Sequence, residues 1–344
     1  MLFFGNIAMR SRRGAISPST IVRCLNIAKE LKKYDFNAQV MYASLSDLRT
    51  NISAIKRSDI VIFHRIQNPF LNMPMAPTEP VLVGECKALD VPIVFDIDDS
   101  IFLQYPILTE LLMAEADLVT AGSHFLCEFA RRWNDSVCIV PSAVDTELFR
   151  PLPRRKSDSR ITLGWHGSAA VQFGYLKYLR KPLERLARKY DITFKLLGTL
   201  GSKKIQSYFT SVPGLRTDFG PNTWVPYHEL PYLLADVDIG LSPLPMSVWT
   251  VGKCAMKALE YMAMEIPVVA SAVGEHNYII HDGRTGLIAH SSTEWVEKIE
   301  MLVRDSSLRR SLGHRGRQVV EESFSLEAVG ERVKNILLRF LRHV

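Results

Sequence analysis

Residues 249–286, WTVGKCAMKALEYMAMEIPVVASAVGEHNYIIHDGRTG, read as loop, helix, strand, turn, short helix and Gly turn. A helix running from near Gly252 to Met264 turns about 100° per residue, which places Lys253, Lys257 and Glu260 on one face. Ala255, Met256, Leu259, Met262 and Ala263 fall on the opposite, packed face. The first free N–H groups of such a helix, at Gly252 to Cys254, attract an anion, and phosphate above all. Glu260, about two turns further on, is placed to accept hydrogen bonds from a hydroxyl pair attached to that phosphate, as in a ribose. A solvated charged helix face has the same pattern.

The next segment favours a site. Residues 266–272 form a short apolar, β-branched run with the look of a buried parallel strand. Gly274, Asp282-Gly283 and Gly286 punctuate the chain where the backbone must turn tightly.

Working outward, 344 residues suit two domains of ordinary size. No apolar run approaches the roughly 18 residues that cross a bilayer. The amino-terminal MLFFGNIAMRSRR lacks the order of a signal peptide, so a cytoplasmic protein is expected. The five cysteines, at 24, 86, 127, 138 and 254, form no CxxC pair, which argues against a disulfide framework and a structural zinc site. His124 near Cys127 and Cys138 reads as a metal-binding group by residue type, and helix packing explains it equally well. Residues 1–150 hold 15 Lys and Arg against 17 Asp and Glu, so the net +6 is concentrated in the second half, at +8. That half holds the phosphate site inferred above. A basic half also suits an anionic membrane surface; against nucleic acid, the charges are scattered and no nucleic-acid motif is present.

Strands alternate with helices throughout, the signature of parallel sheets covered on both faces. Strands are expected at 2–7, 38–45, 59–66, 91–100, 116–123 and 137–144, with a helix from Ser123 to Trp133. Ser17-Pro18 makes a helix start, and Ile21, Cys24, Leu25, Ala28 and Leu31 mark the buried face of that helix. Residues 151–160, PLPRRKSDSR, read as a linker. The pattern then restarts at 161–167, 192–198 and 236–244, Ser291 with Glu294 suggests a capping box, and the last helices run from about Asp305 to Val344. Two doubly wound sheets in tandem would leave a cleft between their carboxyl edges.

Residues 257–289, KALEYMAMEIPVVASAVGEHNYIIHDGRTGLIA, resemble the donor-binding core of glycosyltransferase family 4, and WTVGKCAMKALEYMA is similar to a bacterial subgroup with a W-x-x-G-K-C motif before this helix. VFDIDDSIF, AGSHFLCEFARRWNDSVCIVPSAVDTELFRP, ITLGWHGS, DVDIGLSPLPMSVWTVGKC and LRRSLGHRGRQVVEESFS resemble blocks of the same subgroup in the same order. The resemblance implies the GT-B architecture of two Rossmann-like α/β domains. The expected division is an acceptor-binding domain at 1–153, a nucleotide-sugar-binding domain at 154–325, and a helix at 326–344 that crosses back to the first domain. In the family two glutamates frame the site; Glu260 matches the second, on the ribose, and Gly252 stands where the first would be.

The acidic run Asp96, Asp98, Asp99 ends a strand, and by spacing alone it reads as a metal-binding DxD or a helix cap. The resemblance implies no divalent metal, and by position Asp98 would replace a histidine that relatives offer to the reacting sugar. The GWHGS turn brings Gly167 and Ser168 near the diphosphate, but relatives carry an Arg and a Lys where Ser168 and Gly174 stand, so Lys253 and Lys257 are the substitutes. Arg10, Arg12, Arg13 and Gly14 form a basic loop placed for the acceptor, or a solvated one. Arg23 reads equally as a surface charge. Trp224 and Val225 match the segment that receives the base, and Trp249 is placed to cover the sugar. Cys254, Gly274 and Asn277 complete the expected donor pocket, though each aromatic is also a respectable core residue.

The resulting expectation is a metal-independent, retaining glycosyltransferase that moves a sugar from a nucleoside-diphosphate-sugar co-substrate to a cell-surface glycan or lipid-linked acceptor. It needs no further cofactor and makes peripheral contact with anionic lipid. Asp98, Asp99, Lys253 and Lys257 are its expected catalytic residues. The rival is an inactive nucleotide-sugar-binding partner of another transferase, supported by the missing first glutamate and the missing Arg/Lys pair.

Overall fold

The computed structural model describes residues 1–5, 17–42, 47–65, 78–153 and 160–341. The basic loop expected at Arg10, Arg12, Arg13 and Gly14 lies outside the described residues, as does most of the 151–160 linker. Twelve strands among the described residues build two sheets. β1 (Leu2–Gly5), β2 (Gln39–Tyr42), β3 (Val61–His64), β4 (Ile93–Ile97), β5 (Leu118–Ala121) and β6 (Val137–Ile139) form the first, in the order β2-β1-β3-β4-β5-β6. β7 (Ile161–His166), β8 (Ile192–Leu197), β9 (Arg216–Asp218), β10 (Ile239–Ser242), β11 (Val268–Ser271) and β12 (Leu287–Ala289) form the second, in the order β12-β11-β10-β7-β8-β9. Every strand pair is parallel. β9 and β12 are only three residues long, too short to show a period of two, and the sequence patterns above do not reveal them.

In the first sheet, alternate side chains feed two apolar layers, because successive Cβ atoms point to opposite faces. Phe63 and Phe95 join Leu112, Met113 and Leu126 on one side. Ile62 and Val94 join Ile27, Leu31, Val333 and Leu337 on the other. The last helix, Leu326–Phe340, reaches this second layer through Gly330, where an added Cβ would lie 2.4 Å from Glu30 Cγ. The second sheet has its own core, in which Leu163, Trp165, Phe194 and Leu241 pack with Leu179, Leu183 and Ile299 from the covering helices.

The chain divides into two compact units. One comprises Met1–Ala143, Val251–Cys254 and Phe324–Val344; the other comprises Val144–Thr250 and Ala255–Ser323. The division therefore falls at Ala143/Val144, not at 153/154. Phe149 explains the shift: it is fully buried, its ring lies 5.2 Å from that of Tyr227, and its carbonyl accepts from Arg317 at 3.4 Å. Residues 251–254, read as the start of the second domain's key helix, belong to the first unit.

Candidate functional site

The helix expected from Gly252 begins at Met256 and ends at Ala263. Val248–Val251 forms a separate short helix, and Ala255, with φ +52°, interrupts the path between them in the left-handed region. A non-Gly residue there costs energy and breaks the helical ladder. The single face of Lys253, Lys257 and Glu260 does not exist, and the amides of Gly252 to Cys254 are not that helix's free N–H groups.

Gly252, Lys253 and Cys254 instead pack on the carboxyl end of β4. An added Cβ on Gly252 would lie 2.2 Å from Ser100 Oγ, so only glycine fits without displacement. The Gly252 carbonyl accepts from Ser123 Oγ at 3.3 Å, and Cys254 Sγ donates to the Asp98 carbonyl at 3.1 Å. Lys253 Nζ pairs with Asp99 at 3.3 Å.

The surrounding network holds three cations and three carboxylates among the described residues. The parallel register places His64 beside Asp96 and Asp96 beside Thr120. Asp96 accepts from Thr120 Oγ1 at 2.6 Å, lies 2.8 Å from His64 Nδ1, and is gripped by Arg23 through both Nε, at 3.0 Å, and Nη2. Arg23 Nη1 also donates to the Val140 carbonyl at 2.6 Å. The reading of Arg23 as a surface charge is corrected here. A π-helical turn at Ile21–Leu25 inserts one residue into the helix, shifts its face, and buries Arg23 along with Val22 and Cys24. Leu25, expected inside, is only half-buried.

Burial alone would raise the Asp96 pKa, but the Arg23 charge and the hydrogen bonds from His64 and Arg23 outweigh it and hold the carboxyl far below its usual range. Asp98 is also buried and also held low, by the Arg65 guanidinium against the same desolvation. Arg65 Nε donates to Asp98 Oδ1, and Arg65 Nη2 lies 3.4 Å from Asp99 Oδ2. Arg65 adopts φ +57°, a strained conformation fixed by its N–H bond to the Asp96 carbonyl at 2.9 Å. The sequence reading passed over His64 and Arg65; their signal was a polar pair ending an otherwise apolar strand, DIVIFHRI.

A second cluster lies at the carboxyl end of β7. Tyr261 anchors the helix Met256–Ala263 beneath it, donating to the Gly164 carbonyl at 2.9 Å, and its ring occupies the space where a side chain at Gly240 would go. This seating puts Lys257 Nζ 5.2 Å over the Trp165 ring, 2.9 Å from Gln172 Oε1 and against Gly167. Gly167, at φ +138°, turns the chain where its carbonyl would meet any Cβ on Gly198, at 1.9 Å. Ser168 follows and accepts from the Gln172 amide at 2.9 Å, which starts the next helix.

One turn beyond Lys257, Glu260 is buried, and its Oε2 lies 3.3 Å from His166 Nε2. Burial pushes the Glu260 carboxyl up to about 7, against the opposing pull of the Tyr227 hydroxyl and Lys257. Burial, with the Lys257 charge nearby, pushes His166 down to about 3, so its ring is neutral. His166 and Tyr227 were missed as site residues. His166 lies within GWHGS and Tyr227 directly follows the Trp224-Val225-Pro226 segment, both singled out in the sequence, but their convergence on Glu260 is a tertiary fact.

The remaining expected residues occupy the loops and short helices that follow strands of the second sheet. Trp224 is 52% exposed and Val225 half-buried in the loop after β9. Trp249 is half-buried in the helix after β10; Gly274 turns at φ +56° after β11, followed by exposed Asn277. The structure thus brings Gly167, Lys257 and Glu260 together and assigns Asp98, Asp99, Gly252, Lys253 and Cys254 to the first unit.

Residues 160–305 match a family model described as glycosyl transferases group 1. The chain is 26% identical over 245 residues to the D-inositol 3-phosphate glycosyltransferase of Paenarthrobacter aurescens strain TC1, covering 65% of this chain and 57% of that one. It is 34% identical over 87 residues to the capsular polysaccharide biosynthesis glycosyltransferase CapM of Staphylococcus aureus, covering 25% and 23% respectively. The chain therefore spans between about a quarter and just over half of the length of these curated relatives. Among solved structures, Anabaena Alr3699/HepE in complex with UDP and glucose aligns with a TM-score of 0.70 at 14% identity, over 98% of this chain and 100% of that one. That likeness shows the fold, the GT-B architecture of two parallel-sheet domains.

Proposed function

We propose that this protein is a glycosyltransferase that moves a sugar from a nucleoside-diphosphate-sugar to a glycan or lipid-linked acceptor, with retention of configuration and without a metal. The observation that carries the reading is the spacing of Lys257 and Glu260 on one helix. One turn, about 5 Å along the axis, separates a cation poised for phosphate from a carboxylate able to accept from a ribose diol. The match of residues 160–305 to the group 1 model covers both. In this reading Lys257 stabilises the diphosphate as it departs, the point at which negative charge develops. Trp224 and Val225 receive the base, and the carboxylates of Asp98 and Asp99 receive the acceptor or the sugar. The structure supports a smaller part for Lys253, whose charge is engaged by Asp99.

Calorimetric titration with UDP, GDP and ADP, followed by hydrolysis of the corresponding nucleotide sugars with and without EDTA, tests the proposal. Binding of one nucleotide at micromolar concentration and EDTA-resistant turnover are expected. Asp98→Asn is expected to lower turnover about 10²–10⁴-fold while leaving nucleotide affinity unchanged. Nucleotide binding without turnover under any condition would leave a binding protein and overturn the enzyme reading.

A further inference from the structure

Two buried polar atoms face the second cluster without a well-aligned hydrogen bond among the described residues: His166 Nε2 and the Tyr227 hydroxyl, whose nearest acceptor is the Glu260 carboxyl itself. Buried polar groups in native proteins are nearly always satisfied, and leaving one unpaired costs free energy comparable to the bond it lacks. A single orphan is unremarkable, but these two belong to different elements, the end of β7 and the short helical turn Tyr227–Glu229, and converge on the same carboxyl. His166 Nε2 lies 3.3 Å from Glu260 Oε2 without the alignment of a hydrogen bond. Tyr227 interacts with Glu260 closely enough for each to perturb the other's ionisation. His166 is 5% exposed, and its ring is held edge-on against Tyr261 at 5.2 Å, so it cannot swing away to find solvent.

We infer that His166 and Tyr227 are ligand-binding residues that, with Glu260, take the vicinal diol of the donor's ribose. The inference rests on the nucleotide-sugar reading of this site and extends it. A diol presents two donors and two acceptors. The Glu260 carboxylate can accept both hydroxyl protons, but it leaves the two hydroxyl oxygens unserved. The Tyr227 O–H can donate to one of them, and a neutral imidazole protonated at Nε2 can donate to the other. A ligand hydroxyl that loses its place in such a buried polar set is penalised far more than one facing water, so the arrangement selects a ribonucleotide over its deoxy forms.

The test is a thermodynamic cycle on the folded full chain. Affinities for a nucleoside diphosphate and for its 2′-deoxy and 3′-deoxy analogues are measured by calorimetry in the native protein, His166→Phe, His166→Gln and Tyr227→Phe. The native protein should lose about tenfold on removal of either hydroxyl. His166→Phe should bind the ribonucleotide about tenfold more weakly and no longer distinguish one of the two deoxy analogues, whereas Tyr227→Phe should lose discrimination at the other. His166→Gln, whose amide nitrogen can stand where Nε2 stands, should recover part of the loss. If His166→Phe does not fold, Tyr227→Phe alone decides, because it removes a single oxygen. Native discrimination retained in the foldable variants overturns this inference while leaving the nucleotide site intact. A native protein that binds the nucleotide but ignores both deoxy changes overturns the ribose assignment as well, and one that binds no nucleoside diphosphate overturns the proposed function.

Discussion

Lys253 Nζ lies 3.3 Å from Asp99 Oδ1, joining residues 154 positions apart in one unit, whereas Lys257, four residues further on, hydrogen-bonds Gln172 in the other. Two lysines that share a helical repeat in the sequence thus do different work. Lys257→Ala should weaken nucleoside diphosphate binding by about 1.5–3 kcal/mol, the worth of a hydrogen bond to a charged group. Lys253→Ala should leave that affinity within about twofold and register instead in the thermal stability of the protein. Equal losses of affinity in the two variants would restore the single phosphate-binding face.

Glu260 carries an unusual pH signature. Its pKa is about 7 in the folded protein, above the ordinary 4.5, so the native state holds a proton that the unfolded chain has already lost. The stability contributed by this group should therefore fall as pH rises from about 4.5 to 7 and level off beyond, by up to about 3 kcal/mol. Glu260→Gln should remove that fall, so the native-minus-variant difference in urea-denaturation stability should decline by that amount between about pH 4.5 and 7. Nucleotide affinity in the native protein should move the opposite way, strengthening up to about pH 7 as the carboxylate forms. His166 acts in the opposite sense: its folded pKa of about 3 lies below the ordinary 6.5, so its own contribution to stability grows as pH rises between those values, and the Glu260 contribution is read from the difference between the native and Glu260→Gln profiles.

Arg23 and Asp96 form a buried pair whose value lies in its completeness. Asp96→Asn leaves the guanidinium buried without its counter-charge and should cost about 3–5 kcal/mol in chemical denaturation. The native Asp96 pKa is depressed, so the contribution of the pair is present above the unfolded carboxyl pKa and fades as the solution is acidified through the folded one. A variant as stable as the native protein at pH 7 would show that the Val140 carbonyl and the neutral side chain at position 96 hold Arg23 without the charge.

Gly252→Ala puts a methyl 2.2 Å from Ser100 Oγ and 3.3 Å from Leu126 Cδ2. Overpacking of this kind should destabilise by about 1–3 kcal/mol. Ser100→Gly in the same chain should return most of the loss, because the nearest atom is then gone. No recovery in the double variant would place the strain in the backbone of residues 251–254.

Local rules carried the architecture. Apolar runs of strand length alternating with amphipathic helices specify parallel sheets, since each run must bury both faces, and ten of the twelve strands lay where those runs stood. Ser17 and Pro18 mark a helix start by chemistry that acts within one turn, and Ser17 Oγ does accept from the Thr20 amide at 3.1 Å. The same reasoning misjudged the start of the helix at 256, because Ala255 has high helix propensity and nothing in its neighbours announces a left-handed backbone. It left the place of Arg23 open because a single inserted residue in a π-turn rotates the helix face, and a regular helical periodicity does not reveal it.

Residue type and spacing by themselves determined two Rossmann-like sheets, a carboxylate one turn past a lysine, and an acidic strand end. Only the tertiary structure decided which charges meet. Asp96 is claimed by Arg23 from 73 residues away, Asp98 by Arg65 from 33, and Glu260 gathers His166 from the end of β7 and Tyr227 from a separate helical turn. Electrostatic pairing and desolvation act through distance and dielectric, and both are properties of the folded chain that no stretch of sequence contains.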